Sequence, residues 1–226
     1  MAAQGVSATI AGRQPLLTTF NRVLALPCLD RAIALIACVP LTYMAYYRFQ
    51  HLHLGIPLVT ATVGSLLLIA TMIVRRPPVR VTPNPFFWLL AFVATYWQLL
   101  VLSLIQQGHP IAPLWFSDSL SILGMIIAIW ARISLGRNIG FVPAQRQLVT
   151  TGAYALVRHP IYTGILFLMP AVVLRAYTPR NLFLFALQIF WFIPVKTLVE
   201  ESFLRSDPEY AAYMSRVRYR WIPLLV

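Results

Sequence analysis

Apolar positions in this chain do not alternate with polar ones. They come in unbroken blocks. Ala32 to Tyr47 is a run of 16 residues without a charge, Ile56 to Val74 gives 19, and Phe86 to Ile105 gives 20. Ser119 to Ala131 is uncharged and the apolar run continues past Arg132 to Leu135. Ile161 to Leu174 and Leu182 to Val195 give 14 each, the latter extending past Lys196 to Val199. A bilayer core takes about 20 helical residues at about 1.5 Å each. The second and third blocks meet that alone, and the first and fourth meet it with flanking polar residues. The last two are short, and each holds a proline, Pro170 and Pro194. The return between them, Arg175 to Asn181, is brief enough to make them an antiparallel hairpin. Six continuous blocks predict an all-α, polytopic transmembrane helical bundle of about six helices, rather than a membrane barrel, whose strands would alternate. Five spans and one re-entrant segment is the competing layout.

Composition agrees. The chain is 59% hydrophobic and 11% charged, against about 25% charged in soluble domains. That excludes a disordered chain, a coiled coil and a disulfide scaffold. Cys28 and Cys38 form no CxxC motif and are expected to be free, and no secretory leader is expected. The chain is expected to form one membrane domain over 1–226: an interfacial or cytoplasmic segment (1–31), variable membrane helices (32–131) and a functional core (132–226).

The formal charge of +12 raises a nucleic-acid partner as an alternative. Its placement argues against that. With six spans, fifteen of the eighteen basic residues fall on one side, leaving Arg48, Arg175 and Arg180 on the other. That is the positive-inside pattern, with both termini cytoplasmic, and it suits an anionic lipid surface. It offers no recognition helix or stacking platform, so no nucleic acid is expected. The four histidines are scattered and no metal is expected. Oligomeric state is not readable.

Two polar regions stand apart from the apolar mass. The first holds Leu135-Gly136-Arg137-Asn138, then Thr151-Gly152-Ala153-Tyr154, Val157 and Arg158-His159-Pro160-Ile161-Tyr162-Thr163-Gly164. Pro160 is well placed to open a helix with His159 at its mouth. Gly164 suits close helix packing or close approach of a ligand. The second region holds Glu200-Glu201, Tyr210, Tyr213 and Arg216-Val217-Arg218. Adjacent residues do not share a helix face, so one glutamate can point inward. A buried carboxylate needs a cation or donors; Arg158, Arg216 and Arg218 are the candidates.

The order RHPxYxG, then EE about 35 residues later, then YxxY, RVxR and a terminal IP resembles the isoprenylcysteine carboxyl methyltransferase and NnrU-like membrane methyltransferases, with phospholipid N-methyltransferases as more distant relatives. The resemblance covers roughly Arg132 to Pro223. Relatives commonly carry RVPR where this chain has Arg216-Val217-Arg218-Tyr219-Arg220-Trp221.

The resemblance implies S-adenosylmethionine as cofactor, held in a non-Rossmann site built by the C-terminal helical hairpin and the cytoplasmic tail. Carried over residue by residue, Tyr154, Val157, His159, Pro160, Tyr162, Gly164, Glu200 and Glu201 would line the cofactor, and Arg158, Arg216 and Glu201 would act at the reacting groups. The implied reaction is methyl transfer to a membrane-partitioned or prenylated small-molecule acceptor, an isoprenylcysteine-type carboxylate first, a small thiol or a lipid amine otherwise. A transporter or assembly factor is the competing class. Transport predicts repeats and polar groups near the middle of the membrane; here the polar groups gather at one boundary.

Overall fold

The computed structural model of the chain describes scattered positions between 32 and 51, and then residues 55–76, 78, 80–82, 84–139, 144–145 and 147–223. The segment 1–31, with Cys28, lies outside the described residues. The described positions between 32 and 51 are helical. Cys38 is free and buried.

The architecture is all-α. Helices α1 (Ile56–Ile73), α2 (Pro85–Leu104) and α3 (Leu114–Leu135) are followed by two short 3-10 turns, Gly136–Asn138 and Gly152–Ala155. Helix α4 (Pro160–Arg175) is followed by a long C-terminal helix built from α5 (Pro179–Leu187), a π-helical turn (Gln188–Phe192) and α6 (Ile193–Leu204). Helix α7 (Pro208–Arg216) closes the described elements. Strands β1 (Arg80–Val81) and β2 (Ala144–Gln145) pair antiparallel and tie two connections together at one end.

Prolines set the helix starts. A proline has no N–H to lose at the first turn and its φ suits a helix. Asn84 accepts from the Phe86 amide ahead of Pro85, and Thr178 from the Asn181 amide ahead of Pro179. Asp207 accepts from the Glu209 amide ahead of Pro208. Pro160 opens α4 in the same position, as its place after His159 predicts. Pro170 sits inside α4 without ending it. Pro194 follows the π-helical turn, where the widened ladder accommodates its missing donor.

Among the described residues, two helices are long and apolar enough to cross a membrane, Leu114–Asn138 and Pro179–Leu204, with 25 and 26 residues. Three apolar helices are shorter: Ile56–Thr71, Pro85–Ala94 and Pro160–Arg175. The last of the six expected spans is therefore not short. Its apolar run stops at Val195, but the helix carries on through Lys196, Glu200 and Glu201 to Leu204. Straight-chain Lys and Glu continue a helix as readily as apolar residues do. Large apolar side chains cover the outside, Phe190, Ile133 and Trp115 among the most exposed. A surface of that kind suits lipid rather than water.

Helices α3 and α4 cross at two glycines. A Cβ on Gly164 would sit 2.7 Å from the Gly124 carbonyl oxygen and 2.8 Å from the Ala128 Cβ. Small residues allow backbones to approach this closely. Buried hydroxyls turn back onto their own helices: Ser117 onto Leu114 O, Ser121 onto Asp118 O, Thr197 onto Ile193 O.

One end of the bundle collects the ends of α1, α3 and α6 and the starts of α2 and α4. The opposite end is held by an Arg175–Asp118 ion pair at 2.6 Å. There the Asn181 side chain also bridges the Gln106 backbone and Ala176 O.

Candidate active site

Pro160 places His159 at the mouth of α4, and the 3-10 turn before it brings Tyr154 and Val157 to the same end. The chain beyond α7 returns as an extended strap. The Arg158 amide donates to Tyr219 O at 2.9 Å and the His159 amide to Arg220 O at 2.8 Å. Thr163 donates its hydroxyl to Trp221 O. The Trp221 indole donates to the Thr197 hydroxyl at 3.2 Å. The strap thus stitches α4 to α6.

Glu201 sits at the centre, 2% exposed. Its Oε1 accepts from Arg158 Nε at 2.8 Å and lies 3.1 Å from His159 Nε2. Its Oε2 accepts from Arg220 Nε at 3.1 Å. Arg158 also donates to Val217 O at 3.2 Å. A buried carboxylate costs several kcal/mol to desolvate unless it is paired; here three donors satisfy it. Arg158 and His159 are themselves buried.

Glu200 faces another way. It is half-buried, and its charge reaches the Tyr154, Tyr162 and Tyr210 phenols. Burial, and then this carboxylate, push the Tyr154 and Tyr210 phenols above their ordinary range. Burial pushes Tyr213 up to about 12, against an opposing pull from Arg158. Tyr213 donates its hydroxyl to Tyr154 O at 2.8 Å. The rings of His159 and Tyr162 lie 5.7 Å apart.

Of the residues expected at the site, Arg158, His159 and Glu201 come together directly. Pro160 and Val157 are buried beside them in the chain, and Tyr154, Tyr162 and Glu200 form a second group around one carboxylate. Gly164 packs against Gly124 and Ala128 at the α3 crossing. Arg216 is exposed in the last turn of α7 and is not among the donors to Glu201. That part is filled by Arg220, which sequence reasoning passed over. The one available signal was the departure at Tyr219-Arg220-Trp221. Thr163 and Thr197, which hold the strap, carried none. Among the described residues, no group of three His, Cys, Asp or Glu could hold a metal.

A family model described as phospholipid methyltransferase matches residues 113–207. That stretch runs from the start of α3 to the end of α6. It contains Arg158, His159, Glu200 and Glu201 and leaves Arg220 outside. Two curated relatives, from the indica and japonica subspecies of Oryza sativa, are described as probable protein-S-isoprenylcysteine O-methyltransferase. Each is 31% identical over 103 residues, 42% of this chain and 54% of the relative. The chain spans about half the length of the curated relatives it matches. The likeness is distant and partial, and it is a likeness to membrane-associated, S-adenosylmethionine-dependent methyltransferases.

Proposed function

We propose that this chain transfers a methyl group from S-adenosylmethionine to an acceptor that partitions into the membrane. The observation that carries this reading is the Glu201 cluster. The RHP turn, the paired glutamates and the tail are distant in sequence, yet they meet at one end of an apolar bundle. The matched family stretch covers the RHP turn and the paired glutamates and stops before the strap.

The residues present suit the cofactor's chemistry. It carries an ammonium, a carboxylate and a cationic sulfur. When bound, it supplies an electrophilic methyl group, which requires no metal. Glu201 is already saturated by three donors, so we assign it to positioning: it holds Arg158, His159 and Arg220 in place. Glu200 stands outside that network, within reach of the Lys196 charge one turn earlier on α6, and is the carboxylate we assign to meet an ammonium. Arg158 and Arg220 carry further N–H groups that suit a carboxylate. The Tyr154, Tyr162 and Tyr210 phenols lie within reach of the Glu200 charge, and we assign to the strap the exclusion of water from that side. Arg216, exposed on α7, suits the approach of an anionic acceptor rather than the interior.

The charge balance favours a carboxylate acceptor, of the isoprenylcysteine type. Such a group arrives ionised, so the chain need not remove a proton, and Arg158 and Arg220 sit beside it. The relatives' printed names support that choice. The family model's description supports a second reading, a lipid amine. An amine must lose a proton, and Glu200 is the group placed to accept it.

We further assign the six apolar segments to membrane spans, with the site end and both termini cytoplasmic. Arg75, Arg76, Arg137 and Arg205 gather at that end, while Arg175 and Arg180 mark the other. The chain as a whole is then a multi-pass membrane enzyme.

The test is labelled-methyl transfer from S-adenosylmethionine by the purified chain in lipid, across prenylated cysteines, small thiols and lipid amines. Calorimetry with the cofactor accompanies it. Methylation of the prenylated carboxylate, with cofactor affinity lost in E200Q, is the expected result. No cofactor binding by the intact chain overturns the reading. Transfer to lipid amines alone selects the second.

A further inference from the structure

An open cleft of about 350 Å³ lies where α1 and α3 end, away from the Glu201 cluster. Its walls include Arg76, Arg137, Ser134, Asn138, Thr150 and Thr151. Neither His159, Glu200, Glu201 nor Arg220 lines it, and no acidic residue does. We propose that this cleft is a binding site for a phosphate ester, the headgroup of an anionic phospholipid.

Charge, order and depth carry the proposal. Both ionisable groups in the walls are arginines, whose planar forks match phosphate oxygens. They are set in advance. Arg137 donates Nε to Val74 O at 2.7 Å, which fixes its guanidinium plane while its terminal NH2 groups take no part in that bond. Arg76 donates to the Gln147 side chain, and its backbone amide to Arg137 O at 2.7 Å. The two arginines therefore sit on chain segments bonded to each other. Gly136, at φ +57, has nothing within 4 Å of where a Cβ would stand, so the backbone there borders open space. The Thr150 and Thr151 hydroxyls supply neutral donors for remaining phosphate oxygens.

Depth selects the lipid. Helix α1 is uncharged up to Ile73 and α3 is uncharged from Ser119 to Ala131, and the cleft opens at the last turn of α3 and just beyond the end of α1. A headgroup lies at that level when its acyl chains run along α1 and α3, where Leu66, Ile126 and Ile133 are exposed. Basic pockets between membrane helices bind anionic headgroups in this way. The cleft also touches the catalytic end, because Ser134, one of its walls, accepts from the Ala153 amide at 3.1 Å, next to Tyr154.

The experiment is native mass spectrometry of the full chain in mixed phosphatidylglycerol and phosphatidylcholine, in wild type, R76Q/R137Q and R137Q. R218Q, on the exposed tail, serves as control. Calorimetry with inorganic phosphate and with S-adenosylmethionine runs in parallel. Wild type and R218Q are expected to retain phosphatidylglycerol preferentially. The double variant should lose roughly tenfold or more of that retention, with unchanged cofactor affinity. R137Q is expected to lose part of it and decides the matter if the double variant does not fold. Tight binding of inorganic phosphate that displaces the lipid would reassign the site to a free phosphate. Wild-type lipid retention in folded R137Q or R76Q/R137Q overturns the proposal. So does loss of cofactor affinity with lipid retention intact, which would give the cleft to the cofactor.

Discussion

Arg220 Nε lies 3.1 Å from Glu201 Oε2, and that bond joins the tail of the chain to the end of α6. Glu201 is thereby shared between α4, through Arg158 and His159, and the strap. The carboxylate is the one anion in a small cationic cluster. Removing it leaves the buried Arg158 guanidinium, and the half-buried Arg220 beside it, without their counter-ion.

The E201Q variant is therefore expected to lose about 3–5 kcal/mol of stability, the cost typical of breaking a buried pair from one side. D118N at the opposite end is expected to lose less, about 1–3 kcal/mol, since the Arg175 and Asp118 side chains keep 20% and 22% of their surface exposed against 3% for Glu201. Thermal unfolding in detergent measures both. Equal midpoints for wild type and E201Q would remove Glu201 from its central position.

Gly164 and Gly124 make a prediction about packing. Alanine at Gly164 brings a Cβ 2.7 Å from a backbone oxygen, and a backbone cannot swing away as a side chain can. G164A and G124A should each lose about 1–3 kcal/mol through overpacking. G136A meets nothing within 4 Å; only its left-handed backbone is penalised, at about 1 kcal/mol. Thermal midpoints in the order G136A above G164A check the crossing. The reverse order would argue that α3 and α4 pack differently.

The outline of this bundle was legible in the chain because bilayer burial demands long uninterrupted apolar runs. The start of α4 was legible too, at Pro160, whereas Pro179 was read as part of a return and no helix was expected at Pro208. His159 and Glu201, which the structure brings into contact, were singled out through short motifs in a fixed order. What escaped has a physical reason. Helix α6 outlasts its apolar block because Lys196, Glu200 and Glu201 are good helix formers, and counting apolar residues stops too soon. The choice of Arg220 over Arg216 depends on how an extended strap lies across α4, and an irregular polar segment has no periodicity to reveal that. Gly164 finds its partner 40 residues earlier, at Gly124, and nothing local joins the two.

Tyr213 carries a prediction about pH. Its folded phenol is held protonated to about 12, against about 10 in an unfolded chain. A proton held more tightly by the fold stabilises it below pH 10, and that contribution disappears as pH rises through 12. Y213F loses the bond to Tyr154 O, worth about 1 kcal/mol, and should be less stable than wild type at pH 8. Its deficit should shrink between pH 10 and 12, because phenylalanine has no proton to lose. Denaturant midpoints at pH 8 and pH 11 check this. A deficit that stays constant would mean that Tyr213 titrates normally.

Trp221 is expected to decide whether the strap stays down. Its indole donates to Thr197 on α6 and its carbonyl accepts from Thr163 on α4, so one residue bridges both helices. Arg218 and Arg220 lie just before it, which gives trypsin two sites that report on opening. W221A loses the ring and the indole bond. The strap should lift more often, and tryptic cleavage at Arg218 and Arg220 should speed by roughly tenfold, the change that follows from about 1.4 kcal/mol less protection. W221F keeps the ring, loses only the indole donor, and should fall between W221A and wild type. Cleavage at Arg205, before α7 and outside the strap, is expected to stay near the wild-type rate in both. Equal cleavage of W221A and wild type at Arg218 and Arg220 would show that the strap is held without the Trp221 ring, by the Arg220–Glu201 pair and its backbone bonds to Arg158 and His159.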